Sequence, residues 1–343
     1  MRAVRLHVPG EPLRLEDLPL PAPVDDQVRV RVGGCGVCRT DLHLLDGTQT
    51  RVTLPRILGH EVAGWIDAVG PDAAEEMRAR RLRVGDSVVV FGGWGCGVCR
   101  ECLAGAEQRC ASSIAPGFQA DGGYAEAILV PHARHLEPLG RLDPVRAAPL
   151  ADAAMTAHRA VQRTAPWLRP GARVLVIGCG GVGAFAVQLL RIAPNGDDLA
   201  IGVRELDPGR LERAAELGAD IGLLAAEPSM VLDAFGGPVD VVIDVVGTDG
   251  TLRHAADVVA PDGLVLLVGE AGGRIGFGFD DMPLESWLSS VAWGDRRDLS
   301  AVTALARAGR LRWEVEPVPL EDAGPALDRM RAGEVEGRLV LVP

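Results

Sequence analysis

Apolar and polar residues alternate strictly over residues 28–32 (Val28, Arg29, Val30, Arg31, Val32), the pattern of a strand with one face buried. Around it, residues 1–34 set short apolar runs, such as 13–15, between Pro9-Gly10, Pro12, Pro19, Pro21 and Pro23, a spacing that predicts a small β-rich domain. Residues 88–91 and 125–130 add strand candidates, and the charged, Ala-rich 73–83 predicts an exposed helix or loop. From residues 148–152 the character changes. Residues 153–161 form an amphipathic helical pattern, and apolar runs then recur at 174–178, 199–203, 239–246 and 264–268, separated by helical patterns such as 182–192 and 210–217. Strands this apolar, alternating with helices, predict a parallel sheet covered on both faces. After Trp293 the chain returns to mixed helix (299–308) and strand (338–342), as if rejoining the first domain. The predicted class is α/β, with boundaries at 1–153, 154–291 and 292–343.

Composition narrows the function classes. With 343 residues the chain is long for one core, so two domains are expected. A net charge of −12 argues against nucleic acid or an anionic membrane as partner. No apolar run is long enough to span a membrane, and the first residues lack the apolar core of a signal peptide, so a cytoplasmic protein is expected. Seven cysteines in a reducing compartment point to metal binding or catalysis before disulfides.

Four of them, Cys96, Cys99, Cys102 and Cys110, crowd one short loop that begins at Trp94. Short Cys-x2-Cys turns aim both sulfurs the same way, and four thiolates leave no open coordination position, so this lobe (about 94–110) predicts a structural zinc that pins a segment with little core of its own. A second stretch runs from Cys35-Gly36-Val37-Cys38-Arg39-Thr40-Asp41-Leu42-His43 to Gly59-His60-Glu61. Cys38 and His60 fit half of a catalytic zinc site, with Glu61 as a nearby carboxylate and with Thr40 and His43 able to move a proton. The pair alone also fits a buried thiol and a hydrogen-bonded histidine, and a third ligand must come from elsewhere. Cys35 reads as a buried neighbour.

Where the strand 174–178 turns into the helix 182–192 stands Gly178-Cys179-Gly180-Gly181-Val182-Gly183. Glycines there permit a tight turn, and the helix N-terminus receives a pyrophosphate. Glu205, at the end of the next strand, fits the carboxylate that hydrogen-bonds the adenosine ribose and repels a 2′-phosphate, which favours NAD over NADP. Arg204 beside it is the competing signal, since a guanidinium could take that phosphate. Cys179 reads as a small filler.

These residues resemble the medium-chain, zinc-dependent alcohol dehydrogenases, and within them most closely the bacterial secondary-alcohol dehydrogenases, over nearly the whole chain. The matching stretches are 36–41, Gly59-His60-Glu61, the four-cysteine lobe, Ala148-Pro149-Leu150-Ala151-Asp152, the glycine turn, Trp293-Gly294 and Gly337-Arg338-Leu339-Val340. The resemblance implies a Rossmann doubly wound parallel sheet inserted in a GroES-like β-rich catalytic domain. It implies that Asp152 completes the catalytic zinc set of Cys38 and His60, a harder donor than the Cys many members use there, and that Glu61 approaches the metal during exchange. Arg39 and Arg338 fall on positions that bind the cofactor pyrophosphate, Arg210 on one that touches the ribose, and Thr156 on one near the nicotinamide. Val268, closing the fourth candidate strand, joins this cofactor set. Thr40 and His43 occupy the proton-relay positions.

The implied reaction is reversible hydride transfer between an alcohol, secondary or apolar primary, and NAD, giving a ketone or aldehyde, with two zincs per chain and a homodimer or homotetramer as the working form. A pocket of Leu42, Phe91, Trp94, Trp287 and Trp293 would suit an apolar substrate. Three rivals make different demands: a polyol or sugar-alcohol dehydrogenase prefers hydrophilic substrates, a zinc-independent double-bond reductase of the same fold needs no Cys38/His60/Asp152 set, and a non-catalytic NAD-binding protein forms no NADH.

Overall fold

The computed structural model describes residues 1–276, 278 and 281–343. The chain divides into two compact units, one of Met1–Met155 with Gly294–Pro343 and one of Thr156–Trp293. The helix Ala153–Thr164 carries the chain from the first into the second.

In the first unit the strand Val28–Gly36 is the spine of a sheet. The alternation at its start sends Val28, Val30 and Val32 into the core, while Arg31 stays exposed. Past Val32 both faces are covered and the sequence changes to Gly33-Gly34-Cys35-Gly36. Its principal partner is the antiparallel strand Glu61–Val69, with register irregularities between Arg29 and Val30 and between Val32 and Gly34. Close approach explains Gly64, where a Cβ would collide with the carbonyl oxygen of Arg31. The register ends with Cys35 opposite Val62 and Gly36 opposite Glu61. On the other side of the spine, Arg338–Val342 pairs antiparallel, with Val340 opposite Gly36 and Leu341 opposite Cys35. Val315–Pro319 runs parallel to it at the edge. The Ala127–Val130, Ser87–Val90 and Leu136–Pro138 strands complete this sheet.

The segment 94–110 contains the short helices Arg100–Leu103 and Glu107–Arg109. Its attachment to the core is partly electrostatic. Glu107 is buried and accepts from the His135 ring at 2.8 Å, and its other oxygen lies 3.0 Å from Arg296 and 3.7 Å from Arg134. A carboxylate among two guanidiniums satisfies the rule that buried charges are paired.

The second unit is the doubly wound sheet. All its pairings are parallel, in the order Ile221–Leu224, Ala200–Glu205, Arg173–Ile177, Val239–Asp244, Val259–Leu267, Trp287–Ser290. The strand order reverses between Arg173–Ile177 and Val239–Asp244, which is where such sheets bind ligands at their carboxyl ends. Val174, Leu175, Val176 and Ile177 are all buried, as are Val241, Val242 and Ile243, which accounts for their unbroken apolar runs.

Burial pushes the His135 imidazole down to about 4, against the pull of the Glu107 carboxylate. The folded state therefore binds fewer protons than the unfolded chain below the ordinary histidine value of about 6.5, so stability is lost as pH falls through that window. The contribution of His135 to the unfolding free energy is expected to fall by on the order of 3 kcal/mol between about pH 6.5 and about pH 4, read by urea denaturation as the difference in pH dependence between wild type and His135→Gln.

Candidate metal centres and dinucleotide turn

Three separate segments of the first unit deliver one cluster. The spine strand runs out at Gly36, and two residues on Cys38 caps the helix Arg39–Leu45. The partner strand begins at Glu61, so His60 stands just before it and the Gly36–Glu61 pairing brings both ends together. The third segment is the buried turn Ala148–Ala151, which ends at Asp152. One donor atom from each of Cys38, His60, Glu61 and Asp152 lies within 4.8 Å of the others. Cys38 Sγ is 3.7 Å and His60 Nε2 is 3.6 Å from Asp152 Oδ2. Around a tetrahedral zinc, with sulfur at ~2.3 Å and nitrogen or oxygen at ~2.0 Å, donor atoms stand about 3.3–3.6 Å apart, so the set fits that ion.

The electrostatics favour a cation. Burial opposes a charge on His60, yet the Asp41 carboxylate and the hydrogen bonds to Asp152, Asp41 and Cys38 outweigh it and hold the imidazole well above its ordinary value. Asp41 is wholly buried, accepts the Cys38 amide at 2.9 Å and lies 3.5 Å from His60 Nδ1. Such an outer carboxylate fixes which way a ligating imidazole faces. Burial also pushes the Glu61 carboxyl up, to about 7, against the pull of the Arg338 guanidinium, which contacts Oε1. Arg338 is buried on Glu61, whereas Arg39 is exposed. Thr40 Oγ1 is 3.6 Å from Cys38 Sγ, and on the next turn of that helix the partly exposed His43 has Nδ1 3.4 Å from the Thr48 hydroxyl.

The lobe forms a second cluster. Cys96, Cys99, Cys102 and Cys110 bring their sulfurs within 4.8 Å of one another, with Cys96 and Cys102 at 4.0 Å. Sulfurs at the corners of a zinc tetrahedron would stand about 3.8 Å apart. Hydrogen bonds from the backbone at Val98 and Cys99 pull the Cys96 thiol down to about 6, toward the thiolate a metal needs. Cys35 belongs to neither cluster and is driven well above its ordinary value by burial.

In the second unit the glycine turn follows Ile177. Gly178 has φ +91°, a Cβ on Gly183 would strike the Gly178 carbonyl, and a Cβ on Gly180 would meet nothing within 4 Å. The three glycines thus serve the turn, the helix–strand contact and the open space that a pyrophosphate requires, and Gly181 and Val182 open the helix Gly181–Ile192. The Glu205 carboxylate accepts the Cys179 amide at 2.6 Å and the Leu206 amide at 2.7 Å. Arg204 points its Nε to the Ala226 carbonyl at 2.8 Å. Burial beside Glu205 pushes the Cys179 thiol up to about 12, in keeping with a filler. Val268 follows the fifth strand and donates to the Asp244 carbonyl, and the Arg210 amide is capped by Asp207. Thr156 is buried on its helix.

The aromatic residues assigned to a pocket belong to different units. Phe91 and Trp94 are buried in the first unit beside His135, and the Trp94 indole donates to the Phe91 carbonyl at 2.6 Å. Their packing gives no support to a role as pocket walls. Trp287 is exposed on the outermost strand of the parallel sheet, set edge-on against Trp167. Trp293 is half-buried, with φ +56°. Sequence reasoning passed over Asp41, the N3 residue of a capping box, and Tyr124, whose hydroxyl donates to Asp41 Oδ2 at 2.9 Å. The Cys-x-x-Asp spacing is a capping signal that could have marked Asp41; nothing local marks Tyr124.

A Cβ on Gly36 would collide with the Glu61 carboxylate. Gly36→Ala is therefore expected to cost about 1–3 kcal/mol in urea denaturation and to weaken zinc binding at the candidate site beside Glu61 but not at the four-cysteine lobe, as read by zinc titration.

Comparison with known proteins agrees with this geometry. Residues 24–140 match the alcohol dehydrogenase GroES-like domain and residues 217–341 the zinc-binding dehydrogenase domain. The chain is 35% identical to D-arabinose 1-dehydrogenase (NADP(+)) of Saccharolobus solfataricus, over 97% of this chain and 95% of that protein. It is 34% identical to the NAD-dependent alcohol dehydrogenase of Sulfurisphaera tokodaii, over the full length of both. The crystal structure of the alcohol dehydrogenase from Aeropyrum pernix superposes with a TM-score of 0.91 at 33% identity, covering all of both chains. Full-length identity at this level, with both domains matched, places the chain in the medium-chain, zinc-dependent alcohol dehydrogenase family of oxidoreductases.

Proposed function

We propose that the protein reversibly oxidises an alcohol to a ketone or aldehyde, with NAD as hydride acceptor and with zinc held by Cys38, His60 and Asp152. The observation that carries this reading is the convergence of those three donors, from segments far apart in sequence, within 4.8 Å of one another, with Asp152 Oδ2 3.7 Å from Cys38 Sγ and 3.6 Å from His60 Nε2. Zinc so held supplies Lewis acidity that lowers the pKa of an alcohol oxygen, and NAD supplies the acceptor for the hydride. The chain's own residues do the rest. Thr40 Oγ1, beside the Cys38 sulfur, accepts the alcohol proton as its own hydroxyl proton leaves, and the ribose of a bound cofactor would link it to His43, on the same helix and partly open to water, which releases a proton to solvent. Asp41 holds the His60 ring. Glu61, paired with Arg338, keeps a carboxylate at the edge of the donor set for exchange steps. The Cys96/Cys99/Cys102/Cys110 zinc is structural, because four sulfurs leave no position for substrate. Trp293 is assigned to the substrate side; Arg39, Thr156, Arg210, Val268 and Arg338 are assigned to the cofactor with the glycine turn.

Two features support NAD over NADP: the Glu205 carboxylate stands against the turn, where a 2′-phosphate would meet like charge, and the Arg204 guanidinium is engaged at Ala226. The relationship to a D-arabinose 1-dehydrogenase favours a second reading, in which the alcohol is a hydrophilic sugar or polyol. For assembly, we propose a homodimer or homotetramer in which the open outer strand Trp287–Ser290, with Leu284, Trp287 and Leu288 exposed, meets another copy. Among the described residues no helix is long and apolar enough to cross a membrane, and all seven cysteines are unpaired; both suit the cytoplasm.

A panel of primary, secondary and polyhydroxy alcohols, followed by NADH absorbance, is expected to show turnover with kcat/KM at least about 100-fold higher for NAD than for NADP, like-charge contacts costing several kcal/mol. Best rates on apolar secondary alcohols support the first reading and best rates on sugars the second; no turnover on any contradicts both. Asp152→Ala is expected to bind one zinc per chain instead of two and to lose about 1,000-fold or more in kcat, while still binding NADH. Unchanged turnover would remove Asp152 from the site.

A further inference from the structure

We infer that Tyr124 is a positioning residue for the zinc site: its hydroxyl occupies Asp41 Oδ2 and thereby reserves Oδ1 for the Nδ1–H of His60, which presents Nε2 to the metal. The inference rests on the reading that Cys38, His60 and Asp152 hold zinc. Both fixed donors to Asp41, the Cys38 amide and the Tyr124 hydroxyl, sit on Oδ2 at 2.9 Å. Oδ1 is left facing His60 Nδ1 at 3.5 Å, while Nε2 of the same ring faces Asp152. A carboxylate held through one oxygen by a single amide can still rotate; a second donor on that oxygen sets its plane. With Oδ1 as acceptor, the imidazole tautomer carrying its proton on Nδ1 is favoured, leaving the Nε2 lone pair for a metal.

Tyr124 is itself rigid. Its ring is wholly buried, its amide donates to the Leu58 carbonyl at 3.0 Å, and its carbonyl accepts from Val4 at 2.7 Å. The ring edge lies against Gly59, the residue before His60, so closely that a Cβ there would collide with it. Gly59 also has φ +91°, a conformation that favours glycine. Tyr124 therefore grips His60 twice, by its ring through the preceding backbone and by its hydroxyl through Asp41. Phenylalanine would keep the first grip and lose the second.

The test is zinc competition against a chelator with the full-length protein, in wild type, Tyr124→Phe, Asp41→Asn and the double variant. Tyr124→Phe is expected to weaken the Cys38/His60/Asp152 site about ten-fold, the lower end of the effect of removing an outer partner, with the four-cysteine site unchanged as internal control. Cobalt(II) in the same site should show shifted d–d bands. Because Tyr124 is the only tyrosine in the sequence, its ring carbon signal in 13C-tyrosine-labelled wild type should also move when that site is loaded. This second measurement needs no variant to fold. If Tyr124 acts through Asp41, the double variant binds no more weakly than Asp41→Asn. Equal zinc affinity in wild type and Tyr124→Phe, additive losses in the double variant, or a tyrosine signal indifferent to loading would overturn the inference. A wild-type protein that binds only the four-cysteine zinc would instead overturn the site reading on which it stands.

Discussion

Everything at the metal cluster depends on the register between Val28–Gly36 and Glu61–Val69. Side chains alternate along a strand, so a slip of one residue would turn Glu61 to the opposite face and carry His60 away from Cys38. Several features pin that register: the bulge near Gly33, the absence of a Cβ at Gly64 where the Arg31 carbonyl approaches, and the Gly36–Glu61 pairing at the end. Arg338 arrives on the neighbouring strand across the spine and closes the arrangement on Glu61. The acidic groups Asp41, Glu61 and Asp152 are costly to gather in one place, and the Arg338 guanidinium and the His60 imidazole, held well above its ordinary value, answer them. On the proposed reading, a divalent cation would sit at the shared focus of Cys38, His60 and Asp152.

The two units divide the labour. The first holds both candidate metal clusters, one where two antiparallel strands meet a buried turn and one in a loop with two short helices. The second offers an open cradle at the reversal of strand order, where Gly178, Gly180 and Gly183 each meet a different demand of the turn. The four-cysteine lobe contributes no open coordination position. Glu107 ties it to the core through a hydrogen bond with His135 and an ion pair with Arg296.

Much of this was legible in the sequence because its physical signals are local. The alternation at 28–32, the apolar runs of the parallel sheet, the Cys-x2-Cys spacing and the glycine turn each fall within a few residues. The site's long-range members were not. Asp152 lies 114 residues from Cys38 and entered only through resemblance; Tyr124 lies 83 residues from Asp41 and has no sequence signature at all. Phe91 and Trp94 are buried beside His135, and a ring that fills a core and a ring that lines a pocket look alike in sequence. Arg204 and Glu205 competed on paper, yet successive residues of a strand point to opposite faces, and the structure puts their side chains on different partners.

The most direct test of the central claim is anomalous diffraction at the zinc edge from crystals of the protein. Two peaks per chain are expected: one among the four lobe sulfurs, and one about 2.0–2.3 Å from Cys38 Sγ, His60 Nε2 and an Asp152 oxygen at once. A single peak in the lobe, or a second peak that leaves any of those three atoms out of reach, would contradict it.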